Sequence, residues 1–328
     1  MSLLDAHGRS IVNLRVSVTD RCNLRCAYCL PHENVEWIPR AEILSYEEIV
    51  RFVRVVAPLG IRKVRLTGGE PLLRKDLPDL VKRIVSVPGI EDVGMTTNGI
   101  GLDRMADPLL RAGLRRVNVS LDTLDGGVFR ELTRRDSLEA VLRGLDAALS
   151  VGFRPVKINA VIRRGINDDA ILPLAGWARE KGCVLRFIEY MPIGNDRWNA
   201  DMVVTNAEIL RVLSEGVGPL LPVEESAKAG PAARWRYEDG GGEVGLIGSV
   251  TEPFCGRCDR IRVTSDGKLR TCLFSTAERD LRELLREGGT DAEIADLVRK
   301  AVDRKEPGHR IGQEDFVRPD RTMSAIGG

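Results

Sequence analysis

The octapeptide CNLRCAYC, residues 22–29, places Cys22, Cys26 and Cys29 within one short loop. Three thiolates from one loop suit a cubane [4Fe–4S] cluster whose fourth iron has no protein ligand. Such an open iron can bind a substrate or cofactor, whereas a fully ligated cluster mainly carries electrons. Structural zinc normally takes four ligands. Of the three histidines, His7, His32 and His309, only His32 is near, and its spacing matches no zinc pattern. CGRC at 255–258 followed by Cys272 makes a second set of three. A zinc ribbon completed by Cys183 is the competing reading there. Cys183 begins an apolar run, however, and reads better as a small buried hydrophobe. A second open cluster is the expectation.

Charged residues also stand where a barrel interior would be apolar. Lys63 and Arg65 are two apart on one strand-like run and so share a face, as do Arg260 and Arg262 just after Cys258. Arg15, Lys157 and Arg186 lie on further runs, and Asn118, Ser120 and Asp122 share the polar face of another. Any one of these cations reads as solvated or salt-bridged, because Lys and Arg are rarely buried unpaired. Seven together point to a polyanion pocket, and arginine suits phosphate through its bidentate geometry. The chain-wide balance of 49 Lys and Arg against 48 Asp and Glu excludes a diffuse basic field for nucleic acid.

The elements that must position these groups alternate in a βα rhythm over the first ~190 residues, the pattern of a parallel sheet. Strands are expected at 11–18, 61–68, 91–98, 115–122, 154–162 and 183–191, with helices around 45–58, 75–87, 102–112, 137–151 and 168–181. Ser45 followed by Glu48 forms a capping-box signature for the first helix. Six strands are too few for an eight-stranded barrel and suit a partial one. After Met191 the rhythm breaks into a loop at 192–201, a short helix at 205–214, a loop and hairpin across 223–248, and two helices near 276–286 and 290–303. The Gly240–Gly242 run lacks the strand–glycine–helix context of a phosphate loop and reads as a hairpin turn. The expected division is 1–192 and 193–328. No run reaches the ~18 apolar residues of a membrane span. MSLLDAHGRSIVNLR has no basic n-region leading into an apolar h-region, and clustered thiols fit a reducing compartment. Cytoplasm is the expectation.

C-x3-C-x2-C after a strand resembles the radical SAM superfamily, and TGGEP at 67–71, one βα unit later, resembles that superfamily's glycine-rich motif. The resemblance implies an α/β fold, a partial (β/α)6 TIM-type barrel with a C-terminal iron–sulfur extension. S-adenosylmethionine (SAM) is then bound at the C-terminal strand ends, with Glu70 as acceptor for its ammonium. It also implies that a reduced cluster splits SAM into methionine and a 5′-deoxyadenosyl radical.

A narrower resemblance rests on LRVSVTDRCNLRCAYC, VRLTGGEPLLRKDL, TTNG, VNVSLDTL, RFIEYMPIG, PFCGRCDRIRVTSDGKLRTCLF and the terminal Gly-Gly, which are similar to the GTP 3′,8-cyclase family. It implies two [4Fe–4S] clusters and SAM as cofactors, with Cys22, Cys26 and Cys29 holding the first cluster. Tyr28, Gly69, Ser120 and Met191 would touch SAM. Cys255, Cys258 and Cys272 would hold the second cluster, whose open iron meets guanine. Arg15, Arg65, Thr96, Lys157, Arg260 and Arg262 would bind GTP. Arg186, Gly327 and Gly328 are candidates for the catalytic step, the tail entering the cavity and its carboxylate pairing with Arg15 or Arg186. The implied reaction is hydrogen abstraction at C3′, attack on C8, and reduction to the cyclised dihydro-nucleotide. Implied partners are an unidentified electron donor, a downstream molybdenum-cofactor pathway enzyme and a second copy in a homodimer. Two alternatives stand beside this: a twin-cluster peptide maturase, which would leave the arginines unexplained, and a non-enzymatic iron–sulfur or zinc protein, which needs no TGGEP.

Overall fold

The computed structural model describes residues 2–30, 32–194, 198–223 and 230–327. Gly328, residues 195–197 of the expected loop and 224–229 of the expected loop-and-hairpin stretch lie outside the described residues.

The six expected strands are present: β1 Asn13–Ser17, β2 Lys63–Thr67, β3 Asp92–Thr97, β4 Arg116–Ser120, β5 Val156–Ile162 and β6 Val184–Glu189. They pair in sequence order, all parallel. The expected helices appear as α1 Tyr46–Val56, α2 Leu77–Val85, α3 Leu102–Arg111, α5 Leu138–Ser150 and α6 Ile171–Glu180, and an additional α4, Gly126–Thr133, follows β4. Helix α1 starts as its sequence requires. The Ser45 hydroxyl accepts from the Glu48 N–H at 3.1 Å, and the Glu48 carboxylate accepts from the Ser45 N–H at 2.6 Å.

Strand β5 shows how period two divides the residues. Val156, Ile158, Ala160 and Ile162 are fully buried, while Lys157, Asn159 and Val161 take the other, partly exposed face. The buried set joins Phe52, Val53, Leu80, Leu109, Val141, Leu145 and Leu174 from the helices in one continuous core. The concave face is left to polar side chains.

Beyond Met191 come α7 Asn206–Gly216, β7 Leu220–Pro222, β8 Ala233–Tyr237, β9 Glu243–Ile247, β10 Arg260–Val263, β11 Lys268–Arg270, β12 Arg279–Asp280, α8 Arg282–Arg286, α9 Asp291–Asp303 and α10 Met323–Ile326. These strands join the same sheet at both edges. Its order is β12-β11-β10-β1-β2-β3-β4-β5-β6-β9-β8-β7. Both β10 against β1 and β9 against β6 are parallel, so the parallel array is wider than the six strands expected. Local pattern hid this, because β8 and β9 form an ordinary antiparallel hairpin with each other while β9's other edge pairs with β6.

Candidate active site

The parallel register brings the cations together. Arg15 lies beside Arg65 on one side and Arg262 on the other, and Asn13 lies beside Lys63 and Arg260. Gly94 is the partner of Arg65, and a Cβ there would sit 3.1 Å from the guanidinium. Gly245 is the partner of Arg186, where a Cβ would meet the Arg186 Cγ at 3.1 Å. Two strand glycines thus leave room for two long cations. Arg116, two residues before Asn118 on the same face, belongs to the set and pairs with Asp92. Extending the period-two pattern of β4 back by one step would have found it.

Arg15, Lys157 and Arg186 have no hydrogen bond or ion pair among the described residues. Arg262 donates to the Gly327 carbonyl at 2.8 Å, and Arg65 to the Met95 carbonyl at 3.3 Å. Arg260 lies 3.6 Å from Asp259 and stacks over the Phe254 ring at 4.9 Å. Burial, then the neighbouring cations, pulls Arg65 down to about 9 and Arg186 to about 10. The same causes bring Lys157 to about 7. Buried charges that lower one another have a shortage of anions in common.

A cavity of about 290 Å³ opens over the C-terminal strand ends. All six clustered cysteines are on its wall, as are Arg15, Arg186, Arg260 and Arg262. Tyr28, Gly69, Thr96, Ser120 and Met191 line it as well. Asn159, which the sequence reading passed over, lines it with an unpartnered buried Oδ1, as does Asn118. Arg65, Lys157 and Glu70 are not on the wall.

Glu70 is buried and held by three donors. Its carboxylate accepts from Leu72 N–H at 3.0 Å, Thr97 Oγ1 at 2.7 Å and Asn98 N–H at 2.7 Å. Burial pushes it up to about 7 despite these donors. It braces the ends of β2 and β3, a role its backbone neighbours assign and its sequence motif does not reveal. Gly69 likewise serves the cysteine loop: an added Cβ would lie 2.3 Å from the Arg21 carbonyl oxygen and 2.4 Å from that of Asp20. The close approach is to the thiol-bearing segment itself.

The first three thiols fit an iron–sulfur cluster. Burial pushes Cys26 well up and Cys29 to about 12, and the neighbouring thiols add to both shifts. Three half-buried thiols that resist ionising together call for a cationic partner. Donors to thiolate are already placed: the Leu24 N–H is 3.4 Å from Cys22 Sγ, and the Ser324 backbone N–H reaches Cys29. No three such ligands among the described residues are drawn in to single-ion spacing. A cubane asks for less convergence, because each thiolate meets its own iron. At the second site burial raises Cys272, whereas at Cys258 Lys305 and Arg260 more than offset it.

The C-terminal helix α10 reaches the cavity wall at Met323. Ile326 is fully buried, and Gly327 has φ 78° over β1. A Cβ on Gly327 would come within 2.9 Å of Ser17 Cβ. The described contact is between the Gly327 carbonyl and Arg262; the expected carboxylate contact to Arg15 or Arg186 falls on Gly328, outside the described residues.

Residues 16–178 match the Radical SAM superfamily model, and residues 183–311 match Molybdenum Cofactor Synthesis C. A GTP 3′,8-cyclase of Corynebacterium glutamicum is 49% identical, with 99% of this chain and 89% of that protein covered. The enzyme of that name from Streptomyces coelicolor is 48% identical over 99% and 96%. The chain belongs to the GTP 3′,8-cyclase family. A third relative of that name, from Thermodesulfovibrio yellowstonii, is 44% identical over 99% of both chains. Among solved structures, Streptococcus suis SuiB bound to precursor peptide SuiA superposes with a TM-score of 0.60 at 17% identity, covering 89% of this chain and 68% of that one. That likeness bears on the fold. No helix among the described residues is long and apolar enough to cross a membrane.

Proposed function

We propose that this chain is a radical SAM cyclase that converts GTP to (8S)-3′,8-cyclo-7,8-dihydroguanosine 5′-triphosphate, the first step of molybdenum-cofactor biosynthesis. The observation that carries the reading is a single cavity lined by both three-thiol sets and by four arginines, of which Arg15, Arg186 and Arg262 have no carboxylate partner among the described residues. A triphosphate supplies the missing anion.

When bound, the two clusters and SAM supply the electrons and the carbon-centred radical; the chain's residues bind and aim. Cys22, Cys26 and Cys29 would hold the SAM cluster, and Cys255, Cys258 and Cys272 the second. Tyr28, Gly69, Ser120 and Met191 would line the SAM end, with Tyr28 held by its hydroxyl to Asp122 at 2.6 Å. Glu70, fixed by donors at the ends of β2 and β3, would serve the same SAM end. Arg15, Thr96, Arg260 and Arg262 would contact GTP from the wall, while Arg65 and Lys157 hold positive potential beneath it. Arg186, Gly327 and Gly328 would fix the ribose against the reacting centre, where small displacements are costly in rate. Residues 1–192 would thus generate the radical and 193–328 would present the nucleotide. A cytoplasmic setting, an electron donor, a downstream acceptor of the product and a homodimer complete the reading.

The test is anaerobic incubation of the reconstituted protein with GTP, SAM and reductant, followed by mass analysis. The expected product is an isomer of GTP, equal to it in mass because the hydrogen atom lost from C3′ is balanced by the electron and proton gained at the base. It is told apart by chromatographic retention and ultraviolet spectrum, with 5′-deoxyadenosine formed alongside. Deoxyadenosine without any change in GTP would leave a radical enzyme acting on another substrate.

A further inference from the structure

Lys305 is a cation that neither the cysteine motifs nor the nucleotide pocket accounts for. It lies just beyond α9 and is only 3% exposed. Its Nζ donates to the Arg260 carbonyl at 3.1 Å and to the Thr271 carbonyl. Those acceptors sit on the two segments that carry thiols: Arg260 is two residues past Cys258, and Thr271 directly precedes Cys272. The adjacent carboxylate, Glu306, is turned to the Thr271 hydroxyl at 2.7 Å. Lys305 has no ion pair among the described residues.

A second buried cation shows the contrast. Arg9 donates to the carbonyls of Cys255 at 2.8 Å, Pro307 at 3.0 Å and Glu306 at 2.6 Å, so it ties the third thiol to the same segment. Its charge is matched by Asp5 at 2.5 Å. Lys305 makes comparable backbone ties with nothing to match it. Leaving a buried ammonium unmatched costs several kcal/mol unless an anion stands nearby. The thiols are the candidates its backbone ties point to, and the Lys305 charge bears on both Cys258 and Cys272.

We propose that Lys305 is the counter-charge of the second three-thiol site and raises the reduction potential of the cluster held there. The inference rests on the reading of that site as a [4Fe–4S] centre. Three thiolates on a cubane leave a net negative charge that grows by one on reduction, so a fixed cation favours the reduced form. Lys305 is therefore a positioning and tuning residue that touches neither nucleotide nor SAM.

The experiment uses the full-length chain with Cys22, Cys26 and Cys29 replaced by Ala, so that only the C-terminal cluster is present. Lys305→Arg and Lys305→Gln are built in that background, iron is counted, and the cluster is titrated potentiometrically by electron paramagnetic resonance. The parent chain should hold about four irons; a parent without iron would sink the cluster reading and leave nothing to tune. With iron present, Lys305→Arg should match the parent potential and Lys305→Gln should shift to a more negative one at unchanged iron content. Loss of iron from Lys305→Gln alone also supports the counter-charge role, since Lys305→Arg then shows that charge suffices. An unshifted potential in Lys305→Gln, or loss of iron from Lys305→Arg, would overturn the proposal and return Lys305 to a backbone tie.

Discussion

Lys157 offers a direct test of the anion pocket, because it is the cation there that changes protonation near neutral pH. Burial, then Arg186, Arg116, Arg65 and Arg234, lowers it from 10.5 to about 7. Arg65 at about 9 and Arg186 at about 10 stay charged at pH 8. With a value of about 7, roughly one Lys157 in eleven is protonated at pH 8 in the free protein. A bound triphosphate reverses the local field and returns the lysine toward its ordinary range, so binding at pH 8 should take up close to one proton, ~0.9. GTP affinity should then fall by up to about ten-fold per pH unit above pH 7. Stability of the nucleotide-free protein should move oppositely. The folded state binds fewer protons than the unfolded chain between about 7 and 10.5, so this group's contribution to stability rises with pH across that window. Calorimetry of the reconstituted protein in two buffers of different ionisation enthalpy at pH 8 reads the proton count. Lys157→Gln should bind more weakly at pH 7 and lose the uptake. Equal uptake in Lys157→Gln and wild type, or none in either, would refute the argument.

Three further outcomes are expected. Replacing Cys22, Cys26 and Cys29 together by Ala should leave about four of about eight irons and abolish reductive SAM cleavage, measured as 5′-deoxyadenosine. Arg260→Ala and Arg262→Ala should each weaken GTP binding by ~1.5–3 kcal/mol with iron content retained, as read by equilibrium binding. Deleting Gly327 and Gly328 should leave folding, iron and GTP binding nearly unchanged, since Arg262 is released toward the nucleotide, while single-turnover product at saturating GTP and SAM falls sharply; wild-type turnover would make the tail a passive end.

Much of this protein was legible locally. The six βα strands follow from alternation, and the capping box of α1 from Ser45 and Glu48. The two thiol sets and the inward-facing cations follow from spacing alone, since residues two apart on a strand share a face. The terminal Gly-Gly could be read as either a frayed end or a cavity element. The burial of Gly327 against Ser17 is a long-range contact with no local signature.

Tertiary structure decided the rest, because each remaining feature depends on which backbones meet. Parallel pairing of β9 with β6 and of β10 with β1 widened the array, and no local pattern states which strand will flank another. Glu70 is held by donors from Leu72, Thr97 and Asn98, at the ends of β2 and β3, a set of partners its motif does not state. Lys305 looks in sequence like any solvent-facing lysine after a helix. Only the fold buries it between the two segments that carry Cys258 and Cys272. Residue types and spacing limit the chemistry available to a site, whereas burial and partner geometry set the charge each group carries there.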